Sequence, residues 1–152
     1  MIQVDNKKTK NIASKNKEEF LMKSLNENVV NLLNNQLWYI ATYSDEPNAV
    51  PVLFKEVTSE GKLIIGDVFL RTTLENINKN GKISISVCDA ATMEGYQIKG
   101  TAVHLKEGEL VDKFQEIVSK AMNGAFTAKG VVIVTPRQLI ITTPGADNNN
   151  EL

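Results

Sequence analysis

The sequence predicts a mainly β, α+β domain: an antiparallel meander or barrel with flanking helices. Three observations carry this. Five short runs rich in β-branched and aromatic residues follow one another through the middle of the chain, separated by turn-forming residues. Apolar residues at helical spacing precede and follow that stretch. The length of 152 residues suits one domain with one core.

In chain order, residues 1–17 are dominated by Lys, Asn and other polar types without periodicity, which predicts a flexible polar arm, with the folded domain spanning 18–152. From Glu18, the spacing of Leu21, Leu25, Val29, Leu32 and Leu33 predicts an amphipathic helix that ends near Asn34-Asn35. The five β runs are LWYIAT from Leu37, AVPVLFKEV from Ala49, KLIIGDVF from Lys62, KISISV from Lys82 and YQIKGTAVHL from Tyr96. Turns are expected at Asp45-Glu46-Pro47, Ser59-Glu60-Gly61 and Asn80-Gly81. Pro51 cannot donate to a ladder, so its run belongs at a sheet edge or a bulge. Thr73 to Asn80 is too polar for a strand and predicts two helical turns, with Thr72 or Thr73 as N-cap. Leu110, Val111, Phe114, Ile117, Val118, Ala121 and Met122 trace a further amphipathic helix, stopped by Asn123-Gly124. A closing hairpin is expected from GVVIVTP (Gly130) and QLIITTP (Gln138), turning at Pro136-Arg137.

Composition narrows the functional classes. A net charge of -1, from 17 basic and 18 acidic residues, gives no global attraction to nucleic acid or anionic lipid, so any anion site must be local. No apolar stretch is long enough to span a bilayer, and the first residues lack a signal-peptide core, which makes the cytoplasm the expected location. The single cysteine, Cys88, cannot form an intrachain disulfide, and beside Ile83, Ile85 and Val87 it reads as a buried thiol. The only histidine, His104, has no partner at metal-ligand spacing and reads as a surface or packing residue. There is no dinucleotide fingerprint, no phosphate loop and no nucleophile–histidine signature.

The most informative segment is Gly66-Asp67-Val68-Phe69-Leu70-Arg71-Thr72-Thr73-Leu74-Glu75-Asn76, which runs from a strand into a short helix. A helix N-terminus has unpaired N–H groups and a partial positive charge; two threonine hydroxyls and a guanidinium there suit a phosphate dianion. On the segment alone, a capped helix with a solvated Arg71 is the alternative.

Read together, YIATYSDEPNAVPV (Tyr39 to Val52), IGDVFLRTTLENINKNGKISISV (Ile65 to Val87), GYQIKGTAV (Gly95 to Val103) and TPGAD (Thr143 to Asp147) make the chain resemble the pyridoxamine 5'-phosphate oxidase-like family of FMN-binding split barrels, in its short single-domain form, from about Val29 to Leu152. The resemblance implies a six-stranded antiparallel Greek-key split barrel with flanking helices, dimerising so that two flavins lie at the interface. It places Val50, Pro51, Val52 and Leu53 beside the isoalloxazine ring and lines the flavin with Asp67, Val68, Phe69 and Leu70. Arg71, Thr72 and Thr73 take the phosphate, and Asn76 fixes the turn of the short helix. Relatives often carry Lys-Thr where this chain has Thr72-Thr73, which makes Arg71 the substitute cation and Lys99 a second source of local positive charge. The second subunit would contribute Phe126 and the stretch from Ile140 to Pro144.

The function so implied is that of an FMN-binding flavoprotein, a small oxidoreductase in which flavin performs the redox step and no side chain need act as catalytic acid or base. The tail ending in Asn148-Asn149-Asn150-Glu151-Leu152 has no basic cluster for a second phosphate, which argues against pyridoxamine phosphate as substrate. Three alternatives remain: a flavin electron carrier or stress-linked protein without a dedicated substrate, a haem- or deazaflavin-binding split barrel, and a cofactor-free dimeric interaction module.

Overall fold

Asn26 opens the first helix among the described residues by accepting the backbone N–H of Val29 on its side-chain oxygen at 3.1 Å. The computed structural model describes residue 15 and residues 25–152; the expected arm, Lys15 aside, and the start of the helix expected from Glu18 lie outside them. Helix α1 (Glu27–Asn35) buries Val29, Leu32 and Leu33 against the sheet. At its end, the Leu33 carbonyl accepts from Trp38 Nε1 at 2.8 Å and from Lys55 Nζ at 2.6 Å. The Lys55 ammonium thus sits at the negative end of the helix and 5.1 Å from the centre of the Trp38 ring, and burial pushes its pKa below the ordinary lysine value.

Strands β1 (Trp38–Tyr43), β2 (Pro47–Val52), β3 (Lys55–Val57) and β4 (Leu63–Asp67) come next, then helix α2 (Thr72–Asn80) and strands β5 (Lys82–Cys88) and β6 (Gly95–Leu105). Helix α3 (Glu109–Ala121) and strand β7 (Gly130–Ile141) complete the chain. All seven strands of the described residues belong to one antiparallel sheet in the order β2-β1-β5-β6-β7-β4-β3. Its two edge strands, β2 and β3, are consecutive in sequence and joined only by Leu53 and Phe54. Three Cα steps reach at most about 11 Å, whereas the edges of a flat seven-stranded sheet lie roughly 29 Å apart. The sheet therefore rolls until its edges meet, and the line where they meet without pairing is the seam of a split barrel.

The barrel interior is filled by inward positions of several strands, among them Trp38, Ile40, Ile85, Ile98, Val134 and Leu139. A second apolar cluster lies beneath α3, where Val111, Phe114 and Val118 meet Ile64 and Val131. With side chains of β4 covered on both faces, all five of its residues are buried.

Four sequence expectations change. Among the described residues the strands number seven rather than the six that the resemblance implies, and the run from Ala49 breaks at Leu53-Phe54 into β2 and β3. The closing hairpin is instead one strand: β7 pairs with β6 through Pro136 and beyond, and the register slips once, with Gly100 opposite Pro136 and Lys99 opposite Gln138, leaving Arg137 as an extra residue. Pro-Arg lacks the residues that accept the positive φ of a tight hairpin, and a bulge tolerates the missing N–H of proline. The residue before α2 is Arg71, and no side chain caps the helix, so neither Thr72 nor Thr73 is its N-cap. Cys88 is exposed, because it lies out of phase with buried Ile83, Ile85 and Val87 on β5. Pro51 occupies an edge strand, as expected. Among the described residues no helix is long and apolar enough to cross a membrane.

Candidate functional site

A cavity of about 390 Å3 opens at the seam, walled by β2, the β2–β3 link, the end of β4 and the start of α2. Edge strands present every second backbone N–H and C=O away from their single neighbour, so the wall formed by β2 offers main-chain donors and acceptors to whatever fills the slot. Gly66 forms part of the floor. A Cβ there would come within 2.9 Å of Phe114 and 3.1 Å of Phe54, so the close approach of α3 and the link to β4 depends on a glycine.

Ten of the sequence-predicted residues line this cavity: Val50, Pro51, Val52 and Leu53 on one side, and Val68, Phe69, Leu70, Arg71, Thr72 and Thr73 on the other. Asn48, Phe54, Gly66 and Met122 also line it and were missed by the sequence reading. Asn48 carried a signal, being in phase with Val50 and Val52 on one face of the strand, and Gly66 heads the segment that runs from β4 into α2. The mouth is apolar and open. Leu53 is 68% exposed, Phe69 70% and Phe126 46%, and the Phe69 and Phe126 rings meet edge to face at 5.0 Å.

At the polar end, α2 is tied down by a hydrogen-bonded network. Asn48 Nδ2 donates to Thr73 Oγ1 at 3.0 Å and to Thr42 Oγ1 at 3.3 Å, and Asn76 Nδ2 donates to Thr42 Oγ1 at 3.1 Å. Thr42, Thr73 and Asn76 are all buried, so these bonds fix the first turn of α2 against β1 and β2. Asn76 therefore lies beneath the cavity rather than in its wall. The helix runs nine residues, and Glu75 N–H bonds to the Arg71 carbonyl, leaving the N–H groups of Thr72, Thr73 and Leu74 without partners inside the helix. The Arg71 side chain is 90% exposed and only loosely held, its Nε 3.8 Å from Glu75 Oε1. Such an exposed pair is weak and leaves the guanidinium able to swing toward an anion at the helix start.

Three predicted residues sit elsewhere. Asp67 turns its side chain away from the slot and is buried, with Oδ2 3.1 Å from His104 Nε2 and Oδ1 3.8 Å from Lys129 Nζ. His104 consequently lies on β6 as a packing residue with a carboxylate partner, and Gly130 makes room for it, since a Cβ there would come within 2.7 Å of His104 Nε2. Lys99 lines a separate cavity on another part of the barrel. Phe126 borders the slot through Phe69 without lining it. Among the described residues no group of three or more His, Cys, Asp or Glu could hold a metal ion.

The family model described as pyridoxamine 5'-phosphate oxidase matches residues 25–145. An uncharacterized protein of Methanocaldococcus jannaschii is 35% identical over 130 residues, covering 81% of this chain and 84% of the relative. Among solved structures, HupZ of Group A Streptococcus is similar with a TM-score of 0.70 at 27% identity, over 80% of this chain and 97% of its own. An FMN-binding protein of Syntrophomonas wolfei has a TM-score of 0.71 at 16% identity, covering 91% of this chain and 99% of that one, and at that identity it shares the fold alone.

Proposed function

Because the chain belongs to the pyridoxamine 5'-phosphate oxidase family, we propose that it is an FMN-binding flavoprotein, a small oxidoreductase that works as a homodimer. The observation that carries this reading is the seam cavity itself: an apolar slot with main-chain hydrogen-bonding groups along β2 that ends at the unpaired N–H groups of α2. A planar heteroaromatic ring fits the first part and a phosphate fits the second. FMN, when bound, supplies the redox chemistry.

The side chains divide the remaining work. Val50, Val52, Val68 and Leu70 exclude water from the ring, and the backbone about Pro51 gives its polar edge hydrogen-bond partners. Thr72, Thr73 and Arg71 hold the phosphate, with Thr73 set in place by Asn48. Leu53, Phe69 and Phe126 leave the mouth of the slot apolar and exposed, which favours a second copy of the chain as its cover.

Release of the cofactor from purified protein, followed by chromatography, should yield FMN. Arg71→Ala should weaken FMN about tenfold or more while leaving riboflavin nearly unchanged, because only FMN carries the phosphate. Equal losses for both ligands would remove Arg71 from the phosphate role, and protein that neither carries nor takes up flavin would overturn the reading. Sedimentation of the flavin-loaded protein as a monomer would remove the homodimer.

A further inference from the structure

The second large cavity of the barrel, about 710 Å3, shares no lining residue with the seam slot. It is built on the outer side of β1, β5 and β6 beside the second half of β7 and the C-terminal tail, which returns along β7 through bonds from Ile141 N–H to Asn150 O and Leu152 N–H to Leu139 O. Three cations line it, Lys82, Lys99 and Arg137, in a chain whose net charge is -1.

The strand register shows how they are arranged. Lys82 lies opposite Thr101 and Ser84 opposite Lys99, while the alternate residues Ile83, Ile85 and Ile98 point into the core. The four outward side chains thus form a square with lysines on one diagonal and hydroxyls on the other, about 7–8 Å corner to corner. Among the described residues neither lysine has an ion-pair partner. Arg137 joins them because it is the extra residue of the β7 bulge, which re-aims one side chain. The bulge is enforced from both strands: Pro136 cannot donate to the ladder, and a Cβ on Gly100 would come within 2.5 Å of the Thr135 carbonyl oxygen. Glu151 supplies the one carboxylate of the lining and is tied to Gln138 at 3.2 Å. The two lysines without an ion-pair partner match the charge of a phosphate dianion, and the exposed Tyr43 ring beside them offers a flat apolar face.

We propose that this cavity is a second ligand site, for a phosphomonoester that carries a planar ring system and has the size of a nucleoside monophosphate. Lys82, Lys99 and Arg137 bind the phosphate, Ser84 and Thr101 donate their hydroxyls to it, and Tyr43 takes the ring.

Calorimetric titration of the protein as purified with AMP and with adenosine tests this. AMP should bind saturably, and adenosine about tenfold more weakly or worse. The double variant Lys82→Gln/Lys99→Gln should lose AMP affinity by about tenfold or more with an unchanged melting temperature, and Arg137→Gln should weaken it independently. Arg71→Ala, at the seam, should leave AMP binding as it was. The proposal is overturned if AMP does not bind, if adenosine binds equally well, if the double variant binds AMP like the parent, or if Arg71→Ala abolishes the binding.

Discussion

Gly66→Ala probes how tightly the floor of the seam slot is built. The added carbon would lie 2.9 Å from Phe114 Cδ1 and 3.1 Å from Phe54 Cβ, against a preferred carbon–carbon separation of about 3.5–4.0 Å. The neighbours must therefore retreat by roughly half an ångström to one ångström. Phe114 has little freedom to do so, being 1% exposed and held between α3 and the sheet by Val111, Val118 and Val131. Phe54 can move, but only into the slot whose wall it forms. Overpacking of this kind costs about 1–3 kcal/mol, which lowers the melting temperature by roughly 2–12 °C in a domain of this size. Thermal unfolding followed by circular dichroism reads the loss. The cause is isolated by Phe114→Leu, which removes the ring edge that the new carbon strikes: Gly66→Ala should cost less in that background, with a coupling of about 1 kcal/mol. A Gly66→Ala protein that melts with the parent, or costs that simply add in the double variant, would refute the close approach.

Two further outcomes follow from buried polar groups. Asn76→Ala removes the donor to Thr42 Oγ1 and with it one tie between α2 and β1; the expected loss is about 1–3 kcal/mol, and an unchanged urea midpoint would show that the network does not hold the helix. Tyr96 is pushed above the ordinary phenol value of 10.0, first by burial and then by its hydrogen bond to Glu94 and the charge of that carboxylate. The folded state keeps this proton at pH values where the unfolded chain has released it, so the stabilisation is complete below pH 10 and lost as pH rises through the folded value. Alkaline absorbance titration should show a phenol step above 10.0 that Tyr96→Phe removes, together with a shallower alkaline loss of stability; a variant with an identical titration would refute the shift.

Much of the architecture was legible because it rests on local pattern. Runs rich in β-branched and aromatic residues placed β1, β4, β5 and β6, and helical spacing placed α3 to within a residue or two of Glu109–Ala121. What misled was punctuation whose meaning depends on distant neighbours. Pro136-Arg137 looks like a turn until β6 is known to run past it, and Leu53-Phe54 looks like the middle of a strand until the opposite edge of the sheet is known to arrive there. The candidate site divided in the same way. Residues 50–53 and 68–73 were found because they are contiguous, whereas Met122, at the end of α3, reaches the cavity through the third dimension. Asp67 shows the limit of reading a segment as a unit: on a strand its side chain takes the face opposite to its neighbours, and there it meets His104 rather than the slot.

The two-residue link across the seam also bears on how the molecule assembles. The walls of the slot belong to two local hairpins, β1 with β2 and β3 with β4, each of which can form from residues close in sequence. Their separation is fixed by strands that do not touch the link: β4 is held to β7, β7 to β6, β6 to β5, and β5 back to β1. The β4–β7 ladder joins segments as distant as Leu63 and Val134, and such contacts carry the largest loop-closure entropy and come late. The slot thus takes its width only when β7 docks, so a ligand that fits it selects chains in which the entire sheet has closed.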